Sequence, residues 1–252
     1  MKSALIGYTG FVGGFLESRM PFTHRFRRSD IELIEGESFD LVVCAGMPAA
    51  KWIANMEPEH DSENTDRLIH SIAGIQARTF VLISTIDIYQ NDVRCTEETT
   101  PCPQHVYGKN RLRLEQFVKS TFLNHHIIRL PALFGHGLRK NALYDLINEN
   151  QIEKINPESA FQWYDLEWLP GHIALCQKHG IREANLFTEP VSMRVIQQNM
   201  FPALKLNPSA PLACYDHKTS LAELHDGAHG TNGYCASADE VLNAMKHYVF
   251  AG

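Results

Sequence analysis

The chain opens with a short apolar run, Ala4-Leu5-Ile6, that meets glycine at once. It then alternates continuous apolar runs with longer amphipathic ones. Phe39–Ala45 (FDLVVCA), Thr79–Ser84 (TFVLIS) and His126–Leu130 (HIIRL) are apolar on both sides of the backbone, the pattern of strands buried on both faces. Between them, polar stretches carry apolar residues at helical spacing: Phe11–Met20, Asp61–Ile75 with Leu68, Ile69, Ile72 and Ile75, and Tyr107–Phe122 with Leu112, Leu114, Phe117 and Val118. Strands alternating with helices predict a parallel sheet covered on both faces. The second half is less regular. Helices are expected at 141–148, 171–179, 191–199 and 238–249, short strands at 161–164 and 185–187, and loop over the Pro-punctuated 202–211. The expectation is an α/β chain, a Rossmann-type doubly wound parallel sheet with a small C-terminal substrate lobe. Residues 1–135 would form the dinucleotide-binding core. Residues 136–252 would form a mixed region in the same structural unit, combining the lobe with returning core elements.

Composition narrows the function. The 252 residues carry 29 acidic and 23 basic side chains, a net charge of −6, without the basic excess expected of a protein that holds duplex nucleic acid. No apolar run approaches the ~18 residues of a membrane-spanning helix, and the first apolar run is too short for a signal peptide. The six cysteines form no CxxC pair, so a reducing cytoplasm is the expected setting. His225 and His229 stand at helical ligand spacing, but Gly227 and Gly230 argue for loop and no third ligand is evident, so no metal is expected.

The first chemistry is in the glycine loop. Gly7-Tyr8-Thr9-Gly10-Phe11-Val12-Gly13 lies between the first strand and the first helix. Glycines there permit positive φ and let a pyrophosphate approach the backbone, while the helix N-terminus supplies N–H groups. Further on, His24-Arg25-Phe26-Arg27-Arg28-Ser29-Asp30 puts two arginines and a hydroxyl where a dinucleotide site treats the adenosine ribose. Guanidinium groups suit a 2′-phosphate, and an acid suits a free 2′-OH. Arg27, Arg28 and Ser29 therefore favour NADP(H), with NAD(H) left open by Asp30 and Glu32.

The GxxGxxG loop resembles that of the extended short-chain dehydrogenase/reductase family, and the likeness continues in order along most of the chain. Val81–Tyr89 (VLISTIDIY) resembles the family's strand ending in Ser/Thr four residues before an aromatic. Tyr107-Gly108-Lys109-Asn110-Arg111 resembles its Tyr-x-x-x-Lys helix, and Ile128–Gly135 (IRLPALFG) the segment closing over the nicotinamide. Phe161–Leu169 and Asn185–Val191 echo the substrate lobe of sugar-nucleotide epimerases and reductases, with a leaning to dTDP-4-dehydrorhamnose reductase-like members.

The resemblance implies a function and a set of roles. Tyr107 would give or take the proton, Thr85 would hydrogen-bond the substrate oxygen, and Arg111 would stand where the family has lysine. Bringing a tyrosine from its usual pKa of about 10 to neutrality takes roughly 3 units, or ~4 kcal/mol of charge stabilisation. Arg111 departs from the pattern, so a second reading stays open, a non-catalytic NAD(P)-binding sensor or regulator. By the same resemblance Cys44, Ala45 and Gly46, with Pro131, Ala132 and Leu133, would line the cofactor. Asp87 and Trp163 would face a small-molecule substrate such as a sugar nucleotide. The Asp-Glu pair of the 4,6-dehydratases is Ile86-Asp87 here, which argues against elimination of water and leaves reduction or epimerisation. The helices at 61–75 and 107–122 resemble those that pair in homodimers of the family.

Overall fold

The computed structural model describes residues 1–90, 94–224 and 232–251, so His225 and His229 lie outside the described residues. The described chain divides into two units, each assembled from separate stretches. The first holds residues 1–90, 100–129 and 169–184; the second holds residues 94–99, 130–168 and 185 onward.

The first unit is built on a sheet of six strands: β1 (Ser3–Ile6), β2 (His24–Phe26), β3 (Ser38–Cys44), β4 (Gln76–Thr85), β5 (His125–Leu130) and β8 (Glu183–Asn185), in the order β2-β1-β3-β4-β5-β8. β1 pairs in parallel with β2 and β3, and β3 in parallel with β4. This is the doubly wound Rossmann arrangement expected from the alternating pattern. Because side chains alternate across a strand, each apolar run buries two faces. Ala4, Ile6, Val42, Cys44, Phe80 and Leu82 form one face and pack with Ile31, Ile34, Leu68, Ile72, Leu114 and Val118. Leu5, Val43 and Val81 point the other way and are also fully buried.

Four helices of this unit matter for the site. They are α1 (Phe11–Arg19), α2 (Lys51–Met56), α3 (Pro58–Ala73) and α4 (Val106–Thr121). α4 buries Tyr107, Arg111, Leu114, Glu115 and Val118, a stripe at helical spacing. Tyr107 and Arg111 thus share one face, one turn apart. The helix α6 (Leu169–His179) and most of β8 return to this unit from the second half of the chain.

The second unit contains a small sheet in the order β6-β7-β9, from β6 (Ala132–Phe134), β7 (Ala160–Asp165) and β9 (Pro190–Ser192). With α5 (Ala142–Ile147), α7 (Met193–Met200) and α8 (Ala238–Ala251) it surrounds a core of Phe134, Leu143, Leu146, Trp163, Ile196, Val241 and Met245. The strand expected at 185–187 ends at Asn185. The helix expected from residue 191 begins at Met193, after β9 and capped by the Ser192 hydroxyl, which accepts from the Val195 N–H at 3.3 Å.

Candidate active site

The glycine loop is shaped by close approach of backbone to backbone. Gly7 has φ +87°, and a Cβ there would overlap the carbonyl of Ala45 and come within 2.7 Å of the Gly46 Cα. Its N–H donates to the Phe26 carbonyl at 2.7 Å, locking the turn onto the end of β2. A Cβ at Gly13 would run into the Gly7 carbonyl, so glycine also lets α1 sit tight on the loop. Gly10 is the N-cap of α1, with no side-chain cap and no acid in the first turn. Tyr8, Thr9, Phe11 and Val12 complete the loop, in which the Gly10 N–H donates to the Gly7 carbonyl at 3.0 Å.

The basic cluster after β2 is more differentiated than its sequence suggests. Arg27 is tied to Asp30, its backbone N–H to Oδ1 at 2.7 Å and its Nε to Oδ2 at 3.2 Å. Arg28 and Ser29 are exposed, and Arg28 has no ion-pair partner among the described residues. Arg28 is therefore the free guanidinium of the pair. Cys44 is fully buried, and burial pushes its thiol up to about 11, so it packs the end of β3 and is no nucleophile. Ala45 and Gly46 follow it, half-buried, against Gly7.

Thr85, Asp87, Tyr107 and Arg111 all lie in the first unit at the end of β4 and the start of α4. Thr85 caps a 3₁₀ turn over Ile86–Ile88. Its hydroxyl accepts from the Asp87 N–H at 3.2 Å and donates to Asp87 Oδ2 at 3.2 Å. Tyr107 is buried, its backbone N–H donating to Asn55 Oδ1 at 3.2 Å. Burial pushes the phenol above its usual pKa; Arg111 opposes this, Asp87 adds to it, and Lys51 opposes it again.

Arg111 packs on the Tyr107 side chain. Its guanidinium carbon lies over the Tyr107 ring, 4.0 Å from the centroid. One nitrogen donates to Asp61 Oδ2 at 2.5 Å and the other to the Pro48 carbonyl. Arg111 and Asp61 are each 4% exposed, a buried pair to which Asn110 adds a bond at 2.7 Å. Its donors are thus directed into the protein.

Residues not singled out from the sequence complete the site. Lys51 Nζ lies 2.5 Å from Asp87 Oδ1. Asn55, one turn further along α2, takes the Tyr107 N–H. A Cβ at Gly108 would overlap the Asp87 carbonyl, so glycine at 108 brings α4 onto the 3₁₀ turn. Only Gly108 carried a sequence signal, as a glycine in the first turn of a helix; the partnerships of Lys51 and Asp61 span 36 and 50 residues.

Pro131, Ala132 and Leu133 lie in the second unit at the start of β6, where Leu133 accepts from Asn141 Nδ2 at 2.8 Å. Trp163 lies in β7 of that unit, 1% exposed and packed in its core. Among the described residues no group of three His, Cys, Asp or Glu is placed to hold a metal, and no helix is long and apolar enough to cross a membrane.

Comparison with known proteins agrees with the fold. Residues 32–155 match the family model of the RmlD substrate binding domain. No curated protein matches the chain by sequence. Among solved structures, a dTDP-4-dehydrorhamnose reductase from Clostridium acetobutylicum is similar over 99% of this chain and 98% of its own, at 17% identity and a TM-score of 0.76. A dTDP-4-dehydrorhamnose reductase from Bacillus anthracis in complex with NADP is similar over 100% of both chains, at 14% identity and 0.73. A UDP-glucose 4-epimerase from Thermotoga maritima with UDP-glucose covers 98% of each chain, at 13% identity and 0.75.

Proposed function

We propose that this chain, an extended short-chain dehydrogenase/reductase in fold, is an NADP(H)-dependent reductase or epimerase. It would act on a carbonyl or hydroxyl of a sugar nucleotide or related small molecule. The observation that carries the reading is the close approach of Gly108, next to Tyr107 at the start of α4, to the Asp87 carbonyl in the turn that Thr85 caps, in the same unit as the glycine loop. Support for the cofactor comes from the loop itself, whose Gly7 and Gly13 leave no room for a side chain. The Bacillus anthracis reductase of the same fold binds NADP, and the Thermotoga maritima epimerase binds UDP-glucose.

Gly7 to Val12 and the first turn of α1 would hold the pyrophosphate, and Arg28 with Ser29 the 2′-phosphate. Ala45 and Gly46 would border the rest of the dinucleotide. When bound, the nicotinamide would supply or accept hydride. Thr85 orients the substrate oxygen through its hydroxyl. Tyr107 moves the proton to or from that oxygen, and its buried phenol excludes water from the exchange. Asp87, half-buried beside Thr85, would orient a second substrate hydroxyl. All six cysteines are unpaired, which suits a reducing cytoplasm. The helices α3 and α4 are the surfaces proposed to pair two copies.

One observation favours a second reading, a dinucleotide-binding sensor without turnover: Arg111 spends its donors on Asp61 and Pro48. A thermal-shift screen of dinucleotides and nucleotide sugars, followed by NADPH oxidation against the stabilising candidates, separates the two. Tyr107→Phe is expected to abolish oxidation while NADPH still raises the melting temperature. Stabilisation by NADPH with no turnover of any sugar nucleotide or simple ketone by the wild type would select the sensor.

A further inference from the structure

Residues 94–99 belong to the second unit, although the chain before and after them belongs to the first. They form a strap pinned along residues 216–220. The Lys218 N–H donates to the Cys95 carbonyl at 2.8 Å. Glu97 accepts from the Thr219 hydroxyl and the Asn185 N–H, both at 2.7 Å, and from the Ser220 N–H at 2.8 Å and hydroxyl at 3.0 Å. Arg94 Nε donates to Asp216 Oδ2 at 2.7 Å. One pin differs in kind. The Cys95 N–H donates to Nδ1 of His217 at 3.3 Å, and His217 is fully buried. A backbone N–H can only donate, so this nitrogen carries a lone pair, and the ring is neutral with its proton on Nε2. His125 and His126 are buried too, but their Nδ1 atoms face the carbonyls of Phe122 and Ile181, at 2.7 and 2.6 Å. There Nδ1 donates, and a second proton on the ring leaves that bond intact. At His217 a second proton must go to Nδ1, where it meets the Cys95 N–H and the bond is lost.

We infer that His217 is an acid-sensitive latch on the 94–99 strap: neutral, it holds the strap on residues 216–220, and protonated, it releases it. The ring sits beside those of Phe187 and Tyr215, with centroids 6.0 and 6.5 Å away, and Gln162 on β7 is neutral and bonds the His217 backbone. The charged groups at neighbouring positions are engaged elsewhere. Asp216 takes Arg94 and the Tyr234 hydroxyl, Glu97 takes Thr219, Ser220 and Asn185, and Lys218 lies over the Tyr234 ring. An imidazole in open chain titrates near pH ~6.5. The released form takes up a proton that the latched form does not hold, so the latch is complete above that pH and weakens as pH falls below it. With one proton taken up, the released fraction rises about tenfold per pH unit. The strap lies on the covalent path from Asp87 to Tyr107, so its release unpins the chain between them. Turnover by the proposed reductase or epimerase should fall over the same range; that consequence rests on the proposed function, and the latch itself does not.

Amide hydrogen exchange of the full chain between about pH 5 and 8, corrected for intrinsic rates, reads the latch without cofactor or substrate. The Cys95 amide is expected to lose protection about tenfold per pH unit below about pH 6.5, while Val43 and Val81, fully buried in the sheet, keep theirs. His217→Gln is expected to remove that slope, because its side-chain oxygen can accept the same N–H and takes up no proton. In the wild type, the chemical shifts of the ring nitrogens at the alkaline end should show Nδ1 unprotonated, a measurement that stands even if the variant does not fold. Protection at Cys95 that is flat across the range overturns the inference, as does a slope that persists in His217→Gln. So does a loss shared equally by Val43 and Val81, which is global acid unfolding, or a proton on Nδ1 at the alkaline end. Because exchange needs no turnover, a protein that reduces nothing still reports on the latch, and a flat profile in an active enzyme fails the latch alone.

Discussion

Removal of Glu115 tests how the first unit is held behind the site. Its carboxylate is fully buried and takes three bonds from Arg129, at 3.1 and 3.3 Å from Nε and 2.7 Å from Nη2. Ser84, the neighbour of Thr85, donates to it at 2.5 Å. Arg129 also reaches the Tyr89 hydroxyl at 2.8 Å and Glu183 at 2.5 Å, and is itself 1% exposed. Glu115→Ala takes from that buried guanidinium the carboxylate it meets in three bonds, and from Ser84 its acceptor. Breaking a buried pair by removing one partner costs about 3–5 kcal/mol. Glu183 retains part of the compensation, so the expected loss is at the lower end, about 3 kcal/mol. Replacing both ions by apolar residues, as in Glu115→Ala with Arg129→Met, removes the stranded charge, and at least half of the loss should return. Urea unfolding of the four proteins in the cycle, followed by circular dichroism, gives these numbers. A Glu115→Ala loss below about 1 kcal/mol, the range of an exposed ion pair, would refute the assignment of this network as a buried support.

Two further predictions concern the basic cluster and the thiols. Arg28→Ala should weaken NADPH binding by about 10-fold or more and leave NADH binding unchanged, as expected for one charged hydrogen bond to a phosphate. Arg27, tied to Asp30, should matter less, and a larger NADPH loss in Arg27→Ala, measured by fluorescence titration, would reverse their roles. In the native protein a thiol reagent should modify Cys102 and Cys214, which are exposed, and reach Cys44, Cys95, Cys176 and Cys235 only on unfolding. Rapid labelling mapped by mass spectrometry to Cys44 would contradict its role as packing at the end of β3.

The parts of the fold legible in the sequence were those where a single pattern carried enough apolar residues. The runs at 39–45, 79–84 and 126–130 became β3, β4 and β5, and the stripe at 107–122 became α4. α2 was missed because it has six residues, no side-chain cap, and exposed Trp52 and Met56 where a buried stripe would show. β6 has three residues and no alternation long enough to read. In the site, Thr85 and Tyr107 were singled out because the short segments that hold them resemble a family's motifs, each within one stretch of chain. Lys51 with Asp87, Arg111 with Asp61, and Glu115 with Arg129 are pairs made by tertiary packing, and no local pattern encodes them. Arg27 and Arg28 looked equivalent in sequence, and only the folded turn assigns Asp30 to one of them.

The sheet order has a consequence for how the chain comes off the ribosome. β8 is the outermost strand beside β5, yet it is contributed by residues 183–185. During synthesis, the flank of β5 stays open while residues 131–182, most of them belonging to the other unit, are still being added. Arg129 waits over the same interval for Glu183. A nascent chain or gene fragment ending near residue 135 would thus display a bare strand of six buried residues, with Arg129 near its end lacking Glu183. Such an edge invites pairing with another chain. Fragments should be cut after β8, and the full-length protein has a window in which a chaperone would have something to hold.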